Sequence, residues 1–351
     1  MVVDDSAYNR RNIADVFAGN PDVEVVGKAA DGEEALRLSS LLRPDVITLD
    51  LEMPRMDGFT FLRILMSKQP TPVIVVSSYS QKENVFKALE LGALDFVTKP
   101  DRQISPDATE LREQILQKVL LVRSLRPAFS APLPRRNVSG AWGADGKPQG
   151  FDGSSSGGAY VAPKQVVCIA SSTGGPSALL EIFGKLPSTS AAAFLVAQHM
   201  PDKFTRTFAE RLDKRGPVRM SEAQDNDPVA KMTGFVCPGR QCMELVVINN
   251  ELRLKVAPST PNDRYVPSAD RLLKSAAAAA GPKCIGVILT GMGDDGLEGA
   301  RAIQAAGGML IAESQETAVV YGMPGAVVRA GLNAKVLPLP QIADLLAHLP
   351  V

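Results

Sequence analysis

One break in composition limits what this chain can fold into. Between residues 126 and 164 it reads RPAFSAPLPRRNVSGAWGADGKPQGFDGSSSGGAYVAPK, which is rich in Gly, Ser, Pro and Ala and has no sustained period of 2 or 3.6 residues. Such a stretch is typical of a flexible linker. We therefore predict a domain over residues 1–121, a linker over 122–163 and a second domain over 164–351.

On both sides of this linker, apolar runs of about four to eight residues alternate with amphipathic stretches. This alternation is typical of βαβ units, which build parallel sheets covered by helices. The 351 residues are enough for two ordinary domains. We predict the α/β class, with two doubly wound parallel-sheet domains joined by the flexible linker.

Composition excludes several classes of protein. Lys and Arg number 38 and so do Asp and Glu, whereas a nucleic-acid partner favours an excess of basic residues. There is no signal-peptide pattern, and no apolar run approaches the ~18 residues that cross a membrane. The four cysteines contain one close pair, C-x4-C, which favours buried thiols over a zinc site. We expect a cytoplasmic protein with no nucleic-acid partner and no membrane insertion.

In the first domain, polar residues stand where predicted parallel strands end. Because these strand ends share one edge of the sheet, the side chains should meet in one crevice. Three carboxylates brought together suit a hard divalent cation bound through oxygen, and Mg²⁺ fits best. For any single acid, a turn or helix-capping role is the alternative. The residues are Asp4, Asp5, Asp50, Ser77 and Lys99.

Roughly the first 120 residues resemble the receiver domain of two-component response regulators. The resemblance is carried by the stretches VVDDS, DVITLDLEMPRMDG, VIVVSS and ALDFVTKP. The resemblance implies a flavodoxin-like fold in which Asp50 accepts a phosphoryl group from a histidine kinase, while Asp4 and Asp5 help to hold Mg²⁺. Phosphoryl transfer needs such a nucleophile, with positive charge to neutralise the phosphoryl oxygens. Only three residues precede Asp4, so we expect a short first strand. The resemblance also implies two phosphoryl contacts and one aromatic that changes rotamer on activation: Ser77, Lys99 and Phe96.

The second domain begins with an apolar strand followed by ASSTGG at 170–175. A serine on a tight strand-to-helix turn exposes its hydroxyl above the sheet, and small residues two before and two after it permit that turn. Ser172 has Ala170 and Gly174 at these places, whereas Ser171 does not have two small neighbours there. Ser172 is therefore the predicted nucleophile.

A serine nucleophile needs a base, and the chain contains two histidines. His199 follows the apolar strand in FLVAQHMP and should share the sheet edge of the serine, while His348 lies three residues from the end. The orienting acid should close a third strand, and CIGVILTGMGDDG supplies Asp294 and Asp295. Capping of the following helix is the alternative role for the histidine and for either acid.

The chain from residue 166 to about 345 resembles the methylesterase domain of chemotaxis receptor-glutamate methylesterases, the CheB family. The resemblance is carried by the stretches STGG, QHMP, RTFAERLD, PSAD, VILTGMGDDG and YGMP. The resemblance implies a Rossmann-like hydrolytic domain with Ser172 as nucleophile, His199 as general base and Asp295 as the acid that orients it. It also implies two residues beside the oxyanion site, Thr173 and Met292.

Together the resemblances imply a phosphorylation-activated hydrolase that removes methyl groups from glutamate γ-methyl esters on methyl-accepting chemotaxis receptors. Methanol is the expected product, deamidation of glutamines a second activity, and Mg²⁺ the cofactor of the receiver alone. The receiver would inhibit the enzyme until Asp50 is phosphorylated. The chain departs from the family at Ser171, where small residues are usual, and at Cys242, where histidine is common. The runner-up is a phosphate-sink protein that has lost catalysis, and a transcription regulator would need a basic helix-turn-helix instead.

Overall fold

The computed structural model describes residues 1–78, 82–99, 108–122 and 160–350. Two separate parallel sheets confirm the predicted α/β class with two doubly wound domains. The predicted linker at 122–163 falls largely on residues outside the described ranges. Within those ranges, no helix combines the length and the apolar character needed to cross a bilayer.

Strands and helices alternate in the N-terminal domain: β1 (Val2–Val3), α1 (Ala7–Val16), β2 (Lys28–Ala29), α2 (Gly32–Leu42), β3 (Ile47–Leu49), α3 (Gly58–Lys68), β4 (Val73–Ser78), α4 (Lys82–Glu90), β5 (Asp95–Lys99) and α5 (Ala108–Leu121). The strands pair in parallel in the order β2-β1-β3-β4-β5. The central strands β3 (ITL) and β4 (VIVVSS) are buried along almost their whole length because helices cover both faces of the sheet. The first strand has two residues and is as short as expected.

The C-terminal domain contains β6 (Gln165–Ser171), α6 (Gly175–Phe183), β7 (Ala192–Gln198), α7 (Asp202–Asp213), β8 (Arg219–Glu222), β9 (Thr233–Val236), β10 (Gln241–Ile248), β11 (Glu251–Pro258), α8 (Ala269–Ala280), β12 (Cys284–Ile288), α9 (Leu297–Ala305), β13 (Met309–Glu313), α10 (Met323–Arg329), β14 (Lys335–Leu337) and α11 (Leu339–Ala347). Seven of these strands form a parallel sheet in the order β14-β13-β12-β6-β7-β9-β8. The chain first adds β7, β8 and β9 on one side of β6, and it then crosses over to add β12, β13 and β14 on the other side of β6. The crevice at the carboxyl ends of β6, β7 and β12 therefore lies at a switch point, the usual ligand site of such sheets.

The strands β10 and β11 form a separate antiparallel hairpin that the sequence analysis did not predict. Asn249 and Asn250 join them with φ of 51° and 62°. Both values fit a two-residue turn in which asparagine tolerates positive φ. The Asn-Asn pair between two alternating strands was therefore the signal for this hairpin.

Candidate active site and phosphorylation site

The turn between β6 and α6 presents Ser172 at the edge of the sheet. Gly174 adopts a φ of +82° there, and a Cβ at this position would lie 2.9 Å from the Val319 side chain, so the turn requires glycine. The N–H of Ser172 donates to the carbonyl of Thr290 at 3.0 Å, which ties the turn to the segment after β12. The result is the predicted strand–turn–helix arrangement, with Ser172 half-buried at its tip.

The neighbouring serine has a different environment. Ser171 is fully buried and donates its hydroxyl to Oε1 of Gln198 at 2.6 Å. The Gln198 amide in turn donates to the carbonyls of Ser172 and His199 at 2.9 and 3.0 Å. Ser171 thus belongs to a buried network that joins the ends of β6 and β7, and its hydroxyl does not face the crevice.

His199 follows β7 and lies beside the serine turn. Its N–H donates to the carbonyl of Ser171 at 3.0 Å, so Ser172 and His199 stand at neighbouring strand ends. The imidazole Nε2 is 2.8 Å from Oδ2 of Asp295, whose side chain is only 2% exposed. This contact leaves Nδ1 as the ring nitrogen not bound to the acid.

Asp295 is held in place by a helix that the sequence analysis did not connect with it. Its carboxylate accepts the N–H of Ala269 at 2.8 Å and the N–H of Asp270 at 3.0 Å, both in the first turn of α8. The capping role considered for this acid is therefore present, but at α8. The following helix α9 has Gly296 at its N-cap and no side-chain cap.

Asp294 and His348, the other candidates for the acid and the base, have partners of their own. Asp294 is exposed and contacts Tyr265 and Arg264 instead of the imidazole. His348 follows α11, where its Nδ1 lies 2.7 Å from the carbonyl of Asp344. Met292 is 46% exposed in the glycine-rich turn that carries both acids. The four cysteines are all free and buried, including Cys242 on β10.

A buried acid behind the turn was missed by the sequence analysis. Glu313 ends β13 and accepts the N–H of Thr290 at 2.8 Å and the hydroxyl of Thr317 at 2.9 Å. Burial raises its pKa to about 7, although these hydrogen bonds oppose the shift. Thr290 donates its own hydroxyl to the carbonyl of Thr173 at 2.9 Å, so Glu313 supports the serine turn from behind. An acid at the end of the apolar run MLIAE was the available signal.

In the N-terminal domain, the strand ends bring the predicted phosphorylation residues together. Nζ of Lys99 lies 2.8 Å from Oδ2 of Asp4 and 2.5 Å from Oδ2 of Asp50. Burial raises the pKa of Asp50, and the contact with Lys99 offsets this shift only in part. Burial alone would lower the pKa of Lys99, but the two carboxylates outweigh it and the pKa is raised. Ser77 is fully buried near the end of β4, where it pairs with Thr98 of β5.

The same edge has the donor set of a divalent-cation site. Carboxylate oxygens of Asp4, Asp5 and Asp50 lie within 4.8 Å of one another. Oxygen donors with this charge are what Mg²⁺ takes, and it keeps several waters besides. Asp4 and Asp50 are buried and Asp5 is exposed. The raised pKa of Asp50 fits this assignment, because a cation would stabilise the charged form of a buried carboxylate. The three residues therefore fit the group expected from the sequence.

The two domains contact each other through an aromatic cluster. The ring of Phe96 on β5 lies 4.6 Å from that of Phe204 on α7, and Phe86 on α4 stacks on Phe208 of α7 at 5.6 Å. All four side chains are buried. The aromatic implied to change rotamer on phosphorylation is thus packed directly against the C-terminal domain.

Polar contacts complete this interface. Arg211 on α7 reaches Glu83 and Glu90 of α4, each at 2.7 Å. The hydroxyl of Thr173 donates to the Asp95 carboxylate of β5 at 2.5 Å. The residue that follows Ser172 and the residue that precedes Phe96 are therefore in direct contact.

A carboxylate–lysine cluster in one domain, and a serine turn beside a histidine–aspartate pair in the other, are typical of a response-regulator type of protein with a hydrolase-like output domain. Residues 1–107 match the response regulator receiver domain, and residues 167–346 match the CheB methylesterase family. The chain belongs to the CheB methylesterase family and carries a receiver domain at its N-terminus, as the sequence analysis expected.

Relatives of nearly full length support this assignment. The chain is 44% identical to protein-glutamate methylesterase/protein-glutamine glutaminase 1 of Myxococcus xanthus, over 99% of this chain and 96% of that protein. A protein of the same name from Pyrococcus abyssi is 38% identical over 98% of this chain and 91% of the relative. The crystal structure of the Thermotoga maritima CheB methylesterase catalytic domain is 38% identical with a TM-score of 0.52, and it covers 54% of this chain and 100% of its own.

Proposed function

We propose that this chain hydrolyses the γ-methyl esters of glutamate side chains on methyl-accepting chemotaxis receptors and deamidates glutamine side chains on the same receptors. The observation that carries the proposal is the 2.8 Å contact between His199 and Asp295 beside the Ser172 turn. The names of the full-length relatives support the substrate class. We place the enzyme in the cytoplasm, with a chemotaxis histidine kinase as its phosphodonor.

In the first half of the reaction, Ser172 is the nucleophile. Asp295 accepts the Nε2 proton of His199 and so selects the tautomer whose Nδ1 carries a lone pair. As Oγ of Ser172 bonds to the γ-carbonyl carbon, Nδ1 takes the hydroxyl proton. The imidazolium then gives this proton to the methoxy oxygen, the bond from carbon to methoxy oxygen breaks, and methanol leaves an acyl-serine.

The negative oxygen of the tetrahedral intermediate needs donors at the serine turn. Helix α6 begins at Gly175, directly after this turn, so the positive end of its dipole lies there and favours negative charge. We assign Thr173, which follows the serine, and Met292, in the turn after β12, to the surroundings of this oxygen. A donor of this kind typically contributes about 3–4 kcal/mol to lowering the barrier.

In the second half of the reaction, water replaces the serine. His199 takes a proton from water as the water oxygen bonds to the acyl carbon, and then returns a proton to Oγ of Ser172. The product is a free glutamate side chain. A glutamine substrate follows the same steps with ammonia in place of methanol, so deamidation needs no further catalytic group.

The receiver controls access to this crevice. Asp50 attacks the phosphorus of a phosphohistidine on the kinase, and the bond between phosphorus and nitrogen breaks. Mg²⁺ held by Asp4, Asp5 and Asp50 would neutralise charge on the phosphoryl oxygens. Lys99 contacts the phosphoryl group and leaves its ion pair with Asp4. Ser77 turns toward the same group.

Phosphorylation weakens the contact between the domains. Movement of Ser77 near the end of β4 and of Lys99 at the end of β5 repositions Phe96, whose ring packs on Phe204 of the catalytic domain. The docked receiver excludes the receptor helix from the crevice, and release of the receiver opens it. Such a change shifts the equilibrium only by the difference in stabilisation between the two states.

The experiment is methanol release from methylated receptors in membranes. The intact protein is tested with and without the kinase, and the Ser172→Ala variant is the control. Release that depends on Ser172 and increases with the kinase supports the proposal. If the purified protein accepts a phosphoryl group from the kinase but releases no methanol from any methylated receptor, the hydrolase assignment fails and the phosphate-sink alternative takes its place.

A further inference from the structure

The ring of Tyr265 lies flat against the imidazole of His199. The two ring centroids are 5.3 Å apart and the ring planes differ by only 7°. This is the offset stacked arrangement that aromatic pairs favour. Tyr265 belongs to the segment between β11 and α8 and is half-buried. One face of the imidazole is therefore covered by a ring that has no part in the steps described above.

Tyr265 is itself held at its far end. Its hydroxyl donates to Oδ1 of Asp294 at 3.0 Å, and Nη1 of Arg264 lies 3.2 Å from the same oxygen. The Arg264 guanidinium also sits 5.0 Å from the centroid of the tyrosine ring. Burial and the hydrogen bond to Asp294 raise the pKa of Tyr265, so the phenol keeps its proton and remains a donor near neutral pH.

A glycine permits this close contact. Gly293 has a φ of +86°, and a Cβ at this position would lie 2.5 Å from the Tyr265 hydroxyl oxygen. The glycine-rich turn therefore brings two adjacent acids to the histidine in different ways. Asp295 contacts the edge of the imidazole directly, and Asp294 holds the tyrosine that covers its face.

We propose that Tyr265 is a positioning residue that fixes the plane of the His199 imidazole, and that Asp294 influences catalysis through Tyr265. The proposal rests on the proposed role of His199 as general base. The single hydrogen bond to Asp295 fixes the direction of Nε2 but leaves the ring able to twist about that bond. A parallel ring stacked on the imidazole opposes the twist and holds the ring plane in the orientation that proton transfer from Ser172 to Nδ1 would need.

The stacked ring has a second effect during the reaction. His199 becomes positively charged when it takes the serine proton, and the face of an aromatic ring attracts a cation. The tyrosine therefore stabilises the charged imidazole more than the neutral one. This difference is made only as the reaction proceeds, so it should affect kcat and leave the KM for the receptor nearly unchanged.

The test compares variants of Tyr265 with matched variants of Tyr160 in the intact, phosphorylated protein. Tyr160 lies in the same domain and its hydroxyl oxygen accepts the N–H of Leu252 at 3.0 Å, so it controls for the loss of a tyrosine as such. Tyr265→Leu should lower kcat for methanol release about three- to tenfold, the kinetic equivalent of one stacked ring pair. Tyr265→Phe and Asp294→Asn should each have a smaller effect, because the ring remains.

Two further measurements distinguish positioning from a general loss of structure. The double variant Tyr265→Phe/Asp294→Asn should be no slower than the slower of its single variants, because Tyr265→Phe removes the donor of the hydrogen bond whose acceptor loses its charge in Asp294→Asn. The acid limb of the pH profile of kcat should move to lower pH in Tyr265→Leu and stay in place in Tyr160→Leu. A kcat for Tyr265→Leu equal to that of Tyr160→Leu, or a loss confined to KM, would overturn the proposal.

Spectroscopy tests the same idea without turnover. The chain has two histidines, so the carbon-bound proton signals of the His199 ring can be resolved in the intact protein. They should be sharp in the Ser172→Ala protein and broadened when Tyr265→Leu is added. Signals that do not change when Tyr265→Leu is added would refute the positioning role, even if the wild-type protein is an active esterase. Broadened signals in a protein without esterase activity leave the ring contact intact and refute only the proposed function.

Discussion

The hydroxyl of Thr173 lies 2.5 Å from the carboxylate of Asp95. Thr173 directly follows the proposed nucleophile Ser172. Asp95 directly precedes the proposed switch residue Phe96, so this hydrogen bond links a sequence neighbour of one site to a sequence neighbour of the other. The other oxygen of Asp95 accepts the N–H of Phe96 at 2.8 Å. A shift of the start of β5 must therefore strain or break the contact with the serine turn.

The ion pairs at the edge of this interface lead to the first prediction. Arg211→Ala removes two contacts of 2.7 Å, to Glu83 and Glu90 of the receiver. If docking inhibits the enzyme, the unphosphorylated variant should release methanol a few-fold faster, because two ion pairs with exposed glutamates are together worth about 1 kcal/mol.

Arg206→Ala is the matched control for this experiment. Arg206 lies on the same helix, but its pair is with Glu210 of its own domain and is largely exposed. The Arg206 variant should keep the slow rate of the unphosphorylated protein. Equal rates in the two variants would show that the α4–α7 contact does not restrain the enzyme.

The adjacent serines should differ sharply. Ser172→Ala should lower turnover by several orders of magnitude, because it removes the proposed nucleophile. Ser171→Ala removes a buried hydrogen bond to Gln198, so it should cost about 1 kcal/mol of stability and leave most of the turnover. Methanol release by each purified variant, with its unfolding midpoint, checks both statements. Equal loss of turnover from the two changes would refute the assignment of Ser172.

The adjacent acids should also differ. Asp295→Asn should lower kcat by about 10⁴, the scale of loss seen where the analogous change selects the wrong histidine tautomer. Asp294→Asn acts only through the tyrosine contact and should lower kcat by less than about tenfold. The kcat values of both variants give the comparison. The reverse order would mean that the wrong carboxylate has been assigned.

Glu313 makes stability depend on pH. Its pKa in the folded protein is raised from 4.5 to about 7, mainly by burial, so the folded state binds the proton more tightly than the unfolded chain. The stabilisation that this proton contributes is complete below about pH 4.5 and is lost as the pH rises through about 7. Glu313→Gln has no such proton to lose. The free energy of unfolding of this variant relative to that of the wild type should therefore rise from pH 5 to pH 8 by up to about 3 kcal/mol.

Calorimetric unfolding of both proteins across this range measures the effect. The wild-type midpoint for the catalytic domain should fall relative to that of the Gln variant as the pH rises. A constant difference between the two proteins from pH 5 to pH 8 would contradict the assigned titration of Glu313.

Strand ends made much of both sites predictable from the sequence. Asp50, Lys99 and His199 each follow or close a strongly apolar run, and parallel strands carry such residues to one edge of a sheet. The position of Ser172 followed from the small residues around it. These inferences use contacts between neighbouring strands and the local geometry of a turn, both of which leave a pattern in the chain.

The contacts between distant segments left no such pattern. Thr173 and Asp95 are 78 positions apart and meet only because one domain docks on the other. The stacking of Tyr265 on His199 depends on the path of the chain between β11 and α8. Asp295 was expected to serve the histidine or the next helix, and its hydrogen bonds to α8 come from residues about 25 positions earlier.

Restraint of a competent esterase by its receiver can be measured by comparing two rates of methanol release. A protein that begins near Gly150 lacks the receiver, and the related Thermotoga maritima catalytic domain has been crystallised by itself. Methanol release from methylated receptors should be about tenfold faster for the truncated protein than for the unphosphorylated intact chain, a difference of ~1.4 kcal/mol between open and docked states. Asp50→Ala in the intact chain should stay slow with or without the kinase. If the truncated protein is no faster than the intact unphosphorylated one, docking does not inhibit, and the receiver must act by bringing the enzyme to its receptor.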